Sequence, residues 1–234
     1  MNPVMRLRAF IVPGLAAIGL AGCVAAPQVA LPPADTVVSG KAGKVGVIMT
    51  GVPTPDTEFP GASCLICLGL AEAANSSLTS YSHGLSLDEV HGYKGAVVAA
   101  LKARGVDVVE LPGELDLESL PADKASVPNA PQKNFRGLKD KYAVDHLAVI
   151  NITNLGFVRN YATYVPTGGP EASIRGEAYI VDLSTNVYDW YSPIDVRRPA
   201  EGEWDEPPNF PGLTNAYFQA VELAKDSLVK PISR

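Results

Sequence analysis

The sequence predicts a single α/β domain built on a mixed β-sheet, and three features lead to that prediction. Short apolar stretches typical of strands alternate with helical stretches, an order that favours parallel or mixed sheets. Two later strands are separated only by a short turn, which predicts an antiparallel hairpin. The last stretch repeats apolar residues at helical spacing. The 234 residues are 47% hydrophobic and 19% charged, as expected of a globular domain.

The first half of the domain is expected to contain two strands and two helices. Lys44 to Thr50 alternates apolar and small residues and predicts a strand covered on both faces. An Ala- and Leu-rich helix is expected within residues 61–75. A second helix begins at a capping box, Ser86 with Glu89, and stops at Gly105. The strand Val106 to Leu111 and a Pro-rich connection at 112–133 follow.

The second half is expected to complete the sheet. A short helix at 134–143 precedes an apolar strand from His146 to Asn154. The hairpin is formed by Ala172 to Leu183 and Asn186 to Tyr191. Residues 193–211 hold five prolines and five acids and are expected to form an exposed loop. A helix at about 212–229 ends the domain, with Pro231 marking its end.

The first 22 residues are typical of a secretory signal peptide. Arg6 and Arg8 precede an apolar run from Phe10 to Leu20, and small residues follow it. Glycines and a proline interrupt the run, which is too short for a stable membrane span of about 20 residues. Leu20-Ala21-Gly22-Cys23 resembles the lipobox of bacterial lipoproteins.

That resemblance implies cleavage before Cys23 and acylation of the cysteine on its thiol and amine. Several acyl chains anchor a protein firmly to a bilayer. Val24 follows the cysteine, which in the enterobacterial family rule favours the outer membrane, facing the periplasm. Losing residues 1–22 removes two arginines and no acid, so the net charge changes from −6 to −8. Residues 23–43 are expected to be the lipidated N-terminus and a tether, and residues 44–234 the α/β domain.

The segment from Gly176 to Trp190 resembles a hairpin found in many bacterial envelope lipoproteins. Its apolar strand ends in Asp-Leu, turns and resumes with an aromatic-rich strand. With the order of elements, the chain looks like the anticodon-binding-like α/β domain of the curli-secretion lipoprotein and of periplasmic penicillin-binding-protein activators. The resemblance implies no catalytic residues and a role in binding other envelope proteins.

The pair Cys64 and Cys67 is the sharpest chemical feature, and it lies at an expected helix start. In an oxidising envelope a structural disulfide is the leading interpretation. Thiol redox exchange and metal binding remain open alternatives. A metal site would add His83 and His91, at spacings longer than those of zinc fingers. His146 opens an apolar strand and is expected to be an ordinary edge or core histidine.

The candidate partner-binding residues are four aromatics: Tyr188, Trp190, Tyr191 and Trp204. Strand alternation predicts Tyr188 and Trp190 on one face of the sheet and Tyr191 on the other, so that one set is core and the other exposed. Two alternatives stay open: all of these aromatics could pack within the sheet, or they could serve a small-molecule or glycan-binding module. The chain contains neither a Gly-x-Ser-x-Gly nor a His-Glu-x-x-His motif, and the acidic pI near 5.1 disfavours nucleic acid as a partner.

The leading hypothesis is therefore a non-enzymatic, membrane-anchored envelope lipoprotein that binds another envelope protein. No cofactor and no metal are expected in that role. The alternative is a thiol-redox or metal-handling lipoprotein that uses Cys64 and Cys67.

Overall fold

The computed structural model describes residues 28–124 and 127–233, and its mixed sheet flanked by helices confirms the predicted α/β class. The proposed signal peptide and Cys23 lie outside the described residues. The elements, in chain order, are α1 (Asp35–Val38), β1 (Lys44–Met49), β2 (Asp56–Glu58), α2 (Leu65–Ala74), α3 (Ser76–Ser82), α4 (Asp88–His91), α5 (Tyr93–Ala103), β3 (Asp107–Glu114), α6 (Leu138–Tyr142), β4 (His146–Val158), β5 (Tyr161–Ala162), β6 (Val165–Pro166), β7 (Glu171–Asp182), β8 (Val187–Pro199) and α7 (Pro211–Ser233).

The main sheet combines parallel and antiparallel pairing. Its strands lie in the order β3-β1-β4-β7-β8, and β2 pairs with the far end of β4. β3, β1 and β4 are mutually parallel, as expected for strands joined through helices. β4, β7 and β8 pair antiparallel, so the predicted hairpin closes one edge of the sheet.

Both faces of the sheet are covered. Alternate residues of β4 contribute to opposite cores, because successive side chains of a strand point to opposite faces. Ala148 and Ile150 lie in the core formed with α5 and α7. Leu147 and Val149 lie in a second core, closed by Phe135 and other residues of the connection between β3 and β4. The domain is therefore a sheet between a helical layer and an irregular layer.

Residues 28–43, which were expected to belong to a flexible tether, are largely attached to the domain. Leu31 and Tyr191 exchange backbone hydrogen bonds of 2.8 and 3.2 Å. Val37 of α1 is buried in the helical core, and the Arg104 guanidinium donates to the carbonyl of Val38 at 3.2 Å. Val37 and Ala42 of this segment fill core positions, so residues 28–43 belong to the folded domain.

The C-terminal part of the sheet is longer than predicted. β8 continues to Pro199, so residues 193–199 of the expected acidic loop are strand. Pro193 and Pro199 are tolerated because β8 is the edge strand of the sheet. α7 likewise continues past the expected end, with Pro231 inside its last turn. At the other predicted helix, Gly92 separates α4 from α5.

Candidate functional site

The helix α2 begins at a disulfide. Cys64 is the N-cap residue in an extended conformation, and its Sγ accepts a hydrogen bond from the backbone N–H of Cys67 at 2.9 Å. The two cysteines are disulfide-bonded, with their Cα atoms 4.9 Å apart. This is the pairing that the leading sequence interpretation expected. The bridge therefore holds the first turn of α2 in its helical geometry.

The most unusual property of α2 is how little of it is buried. Only Cys67 and Ala71, one helical turn apart, face the protein. Four large apolar side chains point away from that contact and are exposed by 91%, 76%, 37% and 56%; they are Leu65, Ile66, Leu68 and Leu70. We call these four residues the α2 patch. Contiguous exposed apolar residues of this kind mark interaction surfaces in soluble proteins.

The far end of α2 is fixed by a buried amide. The Asn75 side chain is 1% exposed and donates both to the carbonyl of Ala71 at 2.7 Å and to the Tyr161 hydroxyl at 2.8 Å. Its Oδ1 accepts from the Arg159 guanidinium at 2.7 Å. With the disulfide at one end and this network at the other, α2 is held in place although most of its surface faces solvent.

The stretch of sequence that contains the α2 patch is acidic. From Val45 to Tyr93 the sequence contains no Lys or Arg, but it contains five acids: Asp56, Glu58, Glu72, Asp88 and Glu89. Two arginines, one directly after β4 and one in β7, bind side chains of this stretch. Arg159 donates to Asn75, and Arg175 forms an ion pair with Glu58.

The predicted face alternation of the aromatic residues in β8 is wrong. A register shift between Ile180 and Val181 of β7 places Trp190 opposite Ile180, and Tyr188 opposite Val181. Such a bulge inserts one residue, here Asp189, and reverses the side-chain alternation beyond it. Tyr188 and Tyr191 therefore share one face of the sheet.

Trp190 lies on the other face. It is 2% exposed and belongs to the helical core. A side chain at that depth is a packing residue and is removed from the candidate partner surface.

Trp204 is occupied by contacts within the chain. Its ring stacks on Phe210 with 6.3 Å between centroids, and the Arg159 guanidinium lies 4.7 Å above it. The aromatic and cation–π contacts account for a half-buried tryptophan in the loop after β8.

The three histidines do not gather around the cysteines. His83 Nε2 lies 3.2 Å from Asp56 Oδ1 at the surface, and His91 ends α4. Within residues 28–124 and 127–233, no group of three or more His, Cys, Asp or Glu side chains could hold a metal ion. His146 Nε2 lies 3.0 Å from Asp189 Oδ2, so this histidine serves as an ion-pair partner at the start of a central strand.

The α2 patch was not among the residues selected from the sequence. A signal for it exists in the spacing, because residues 65, 66, 68 and 70 lie on the side of the helix opposite Cys67 and Ala71, so that α2 is apolar all round. A helix that is apolar on all sides must be buried all round or must expose part of that surface. Length and composition alone do not distinguish these two cases.

In the part of the chain that the structure describes, no helix is long and apolar enough to cross a membrane. No protein-family model and no curated protein matches the sequence.

Several solved structures have a similar arrangement of elements. The PelC dodecamer from Paraburkholderia phytofirmans has a TM-score of 0.38 and 10% identity, covering 87% of this chain and 95% of that one. A putative neuraminyllactose-binding hemagglutinin homolog from Helicobacter pylori has a TM-score of 0.37 and 11% identity, covering 80% of this chain and 83% of that one. Lipoprotein GNA1162 from Neisseria meningitidis has a TM-score of 0.27 and 15% identity, covering 77% of this chain and 95% of that one. These likenesses include a bacterial lipoprotein, but at such TM-scores they carry no argument about what this chain binds.

Proposed function

We propose that this protein is a lipid-anchored, non-enzymatic component of the bacterial envelope that binds another envelope protein through the α2 patch. The observation that carries the proposal is that α2 is fixed to the domain at both ends while its four large apolar side chains face solvent. Exposed leucines and isoleucines are costly to solvate, and a protein partner that covers them recovers that free energy.

The charge around the patch favours a protein partner over a lipid surface. Helices that lie in a membrane interface carry Lys and Arg, which attract anionic lipids. The segment containing α2 has five acids and neither Lys nor Arg. A second copy of this chain would bring a second Glu72 to a symmetric contact of α2, with no Lys or Arg of α2 to pair with it. The best match is a different protein with an apolar surface and basic residues around it.

The proposed anchor holds the domain near the bilayer. Cys23 is only five residues from Gln28, the first described residue. Five residues reach at most about 17 Å, even in a fully extended chain. Partners of the α2 patch would therefore be proteins in the same membrane or in the adjacent periplasm.

Site-specific photocrosslinking in the intact envelope tests this proposal. A benzophenone side chain placed at position 66 should give one discrete protein adduct, which mass spectrometry identifies. The same side chain at position 127, where Val127 is 50% exposed elsewhere on the surface, is the matched control and should give none. Only lipid adducts, only adducts to the chain itself, or equal adducts at both positions would contradict the proposal.

A second candidate function rests on the asymmetry of the cysteine pair. Cys64 is exposed and Cys67 is 2% exposed, so one sulfur of the disulfide is open to attack at a helix start. A partner thiolate would attack Cys64 Sγ and release the Cys67 thiolate, and a second partner thiol would complete the exchange. Both cysteines would then be reduced and the partner would carry the disulfide. Equilibration with glutathione tests this candidate, because a disulfide that stays intact in excess reduced glutathione rules it out.

A further inference from the structure

A cup of about 530 Å³ opens on the irregular side of the sheet, away from the contacts that fix α2. Its volume falls within the range of small-molecule sites. Two carboxylates line the cup, those of Glu118 and Glu177, together with four aromatic rings; the rings are those of Phe135, Tyr179, Tyr188 and Tyr191. We call this cavity the aromatic cup.

Three tyrosine rings form one side of the aromatic cup. Tyr179 and Tyr191 face each other across β7 and β8, with 6.2 Å between ring centroids and only 11° between ring planes. Tyr188 lies 5.1 Å from Tyr179 and 5.3 Å from Tyr191. The bulge at Asp189 creates this grouping, because regular alternation would have placed Tyr188 and Tyr191 on opposite faces.

Glu177 supplies a negative charge in the same cavity. Its carboxylate accepts from the Tyr191 hydroxyl at 2.6 Å and from the Asn151 amide at 3.3 Å, and both donors are neutral. Among the described residues no Lys, Arg or His forms an ion pair with Glu177. Lys133 also lines the cup, but its ammonium is paired with Glu118 at 3.0 Å. Partial burial removes water from this carboxylate, and its two neutral hydrogen-bond donors offset only part of that desolvation cost.

The tyrosines remain neutral in this setting. Burial, with the nearby Glu177 carboxylate, raises the pKa of Tyr179, Tyr188 and Tyr191 above the ordinary phenol value. Their ring faces therefore keep the negative quadrupole that attracts cations. The negative charge beside these rings therefore comes from the Glu177 carboxylate and not from a tyrosine phenolate.

We infer that the aromatic cup binds an alkylammonium group, with the half-buried Tyr188 ring against its methylenes and Glu177 beside its charge. Tyr179 and Tyr191 are only 3% and 8% exposed and pack beside the Tyr188 ring. Aromatic faces combined with a carboxylate are the chemistry that recognises organic cations. The group could belong to a free amine or to a lysine side chain of a bound polypeptide, since both present the same chemistry. This site is separate from the α2 patch and does not depend on the function proposed for it.

Titration with n-butylammonium tests the inference, because this ion reproduces the end of a lysine side chain. The probe is added to the whole domain, and the NMR signals of the tyrosine rings are followed. n-Butanol serves as the neutral control of the same length. Butylammonium should saturate the shifts of the cup tyrosines, and butanol should bind about tenfold more weakly or not at all.

Matched variants connect the binding to the carboxylate. Glu177→Gln keeps the hydrogen-bonding shape and should weaken butylammonium binding by about tenfold, whereas Glu203→Gln in the exposed loop should not change it. Tyr188→Leu keeps the cup apolar and should also weaken the binding. Equal binding of butanol, or wild-type affinity in Glu177→Gln, would overturn the inference.

A blocked peptide with one central lysine distinguishes the two sources of the cation. Tighter binding of this peptide than of butylammonium supports a polypeptide ligand. Weaker binding supports a free amine.

Discussion

Replacing Leu65 and Ile66 together by Ser should leave the domain folded while removing its partner. Both side chains are almost as exposed in the folded chain as in an unfolded one, by 91% and 76%. The fold therefore loses little buried apolar surface, and each substitution should change the free energy of unfolding by about 0.5 kcal/mol or less. The lower helix propensity of Ser than of Leu adds only a few tenths of a kcal/mol to this loss of stability, since both positions lie in the first turn of α2.

The effect on binding should be much larger. Burying one Leu or Ile side chain contributes about 1.5–3 kcal/mol. Losing both should weaken the partner complex by about 3–6 kcal/mol, which corresponds to a factor of roughly 10² to 10⁴ in Kd. A stability change near zero with a binding change of this size identifies a contact surface rather than a core.

The assay combines urea unfolding with a titration of the partner identified by crosslinking. The matched control replaces Val29 and Val127 by Ser, two exposed apolar residues outside α2. The control should keep wild-type affinity. A loss of more than about 2 kcal/mol of stability in the Leu65 and Ile66 variant would show that these side chains are buried in the working protein, and unchanged affinity would show that they make no contact.

Three other expectations follow from contacts within the domain. Trp190→Ala should lower the free energy of unfolding by about 3–5 kcal/mol in urea titrations, because the ring is buried; a loss below about 1 kcal/mol would contradict its core position. Burial lowers the pKa of His146, but the surrounding carboxylates, chiefly that of Asp189, outweigh burial and raise it. Stability should therefore be greatest below about pH 6.5 and fall as the pH rises through the raised pKa, a dependence that His146→Gln should abolish in unfolding measured across pH. Replacing Cys64 and Cys67 by Ser should cost about 2 kcal/mol, the chain-entropy value for a loop of this length, and no measurable loss in calorimetry would show that α2 unfolds independently of the domain.

The fold was predictable where the hydrophobic pattern had a clear period. The strands that open at Lys44 and His146 and the hairpin at residues 172–191 occur as expected, because each is bounded by turn residues. The side-chain alternation of β8 was not predictable. The bulge at Asp189 depends on pairing with β7, and the local sequence carries no mark of it.

The candidate site shows the same division between local and tertiary information. The pairing of Cys64 with Cys67 follows from their spacing and the oxidising compartment expected for a secreted protein. The exposure of Leu65 and Ile66 depends instead on how α2 lies against the rest of the domain. The attachment of Leu31 to β8 likewise depends on an edge strand distant in sequence, so residues 28–43 were predicted to belong to a tether although they pack on the domain.

Native mass spectrometry of the protein extracted gently from its own membranes tests the central claim most directly. The wild-type chain should carry an acylated Cys23 and a second, discrete polypeptide. The variant with Leu65 and Ile66 replaced by Ser should carry the same acylation and no second polypeptide. An unacylated chain, or a partner that the variant retains, would contradict the account of a lipid-anchored protein that binds through the α2 patch.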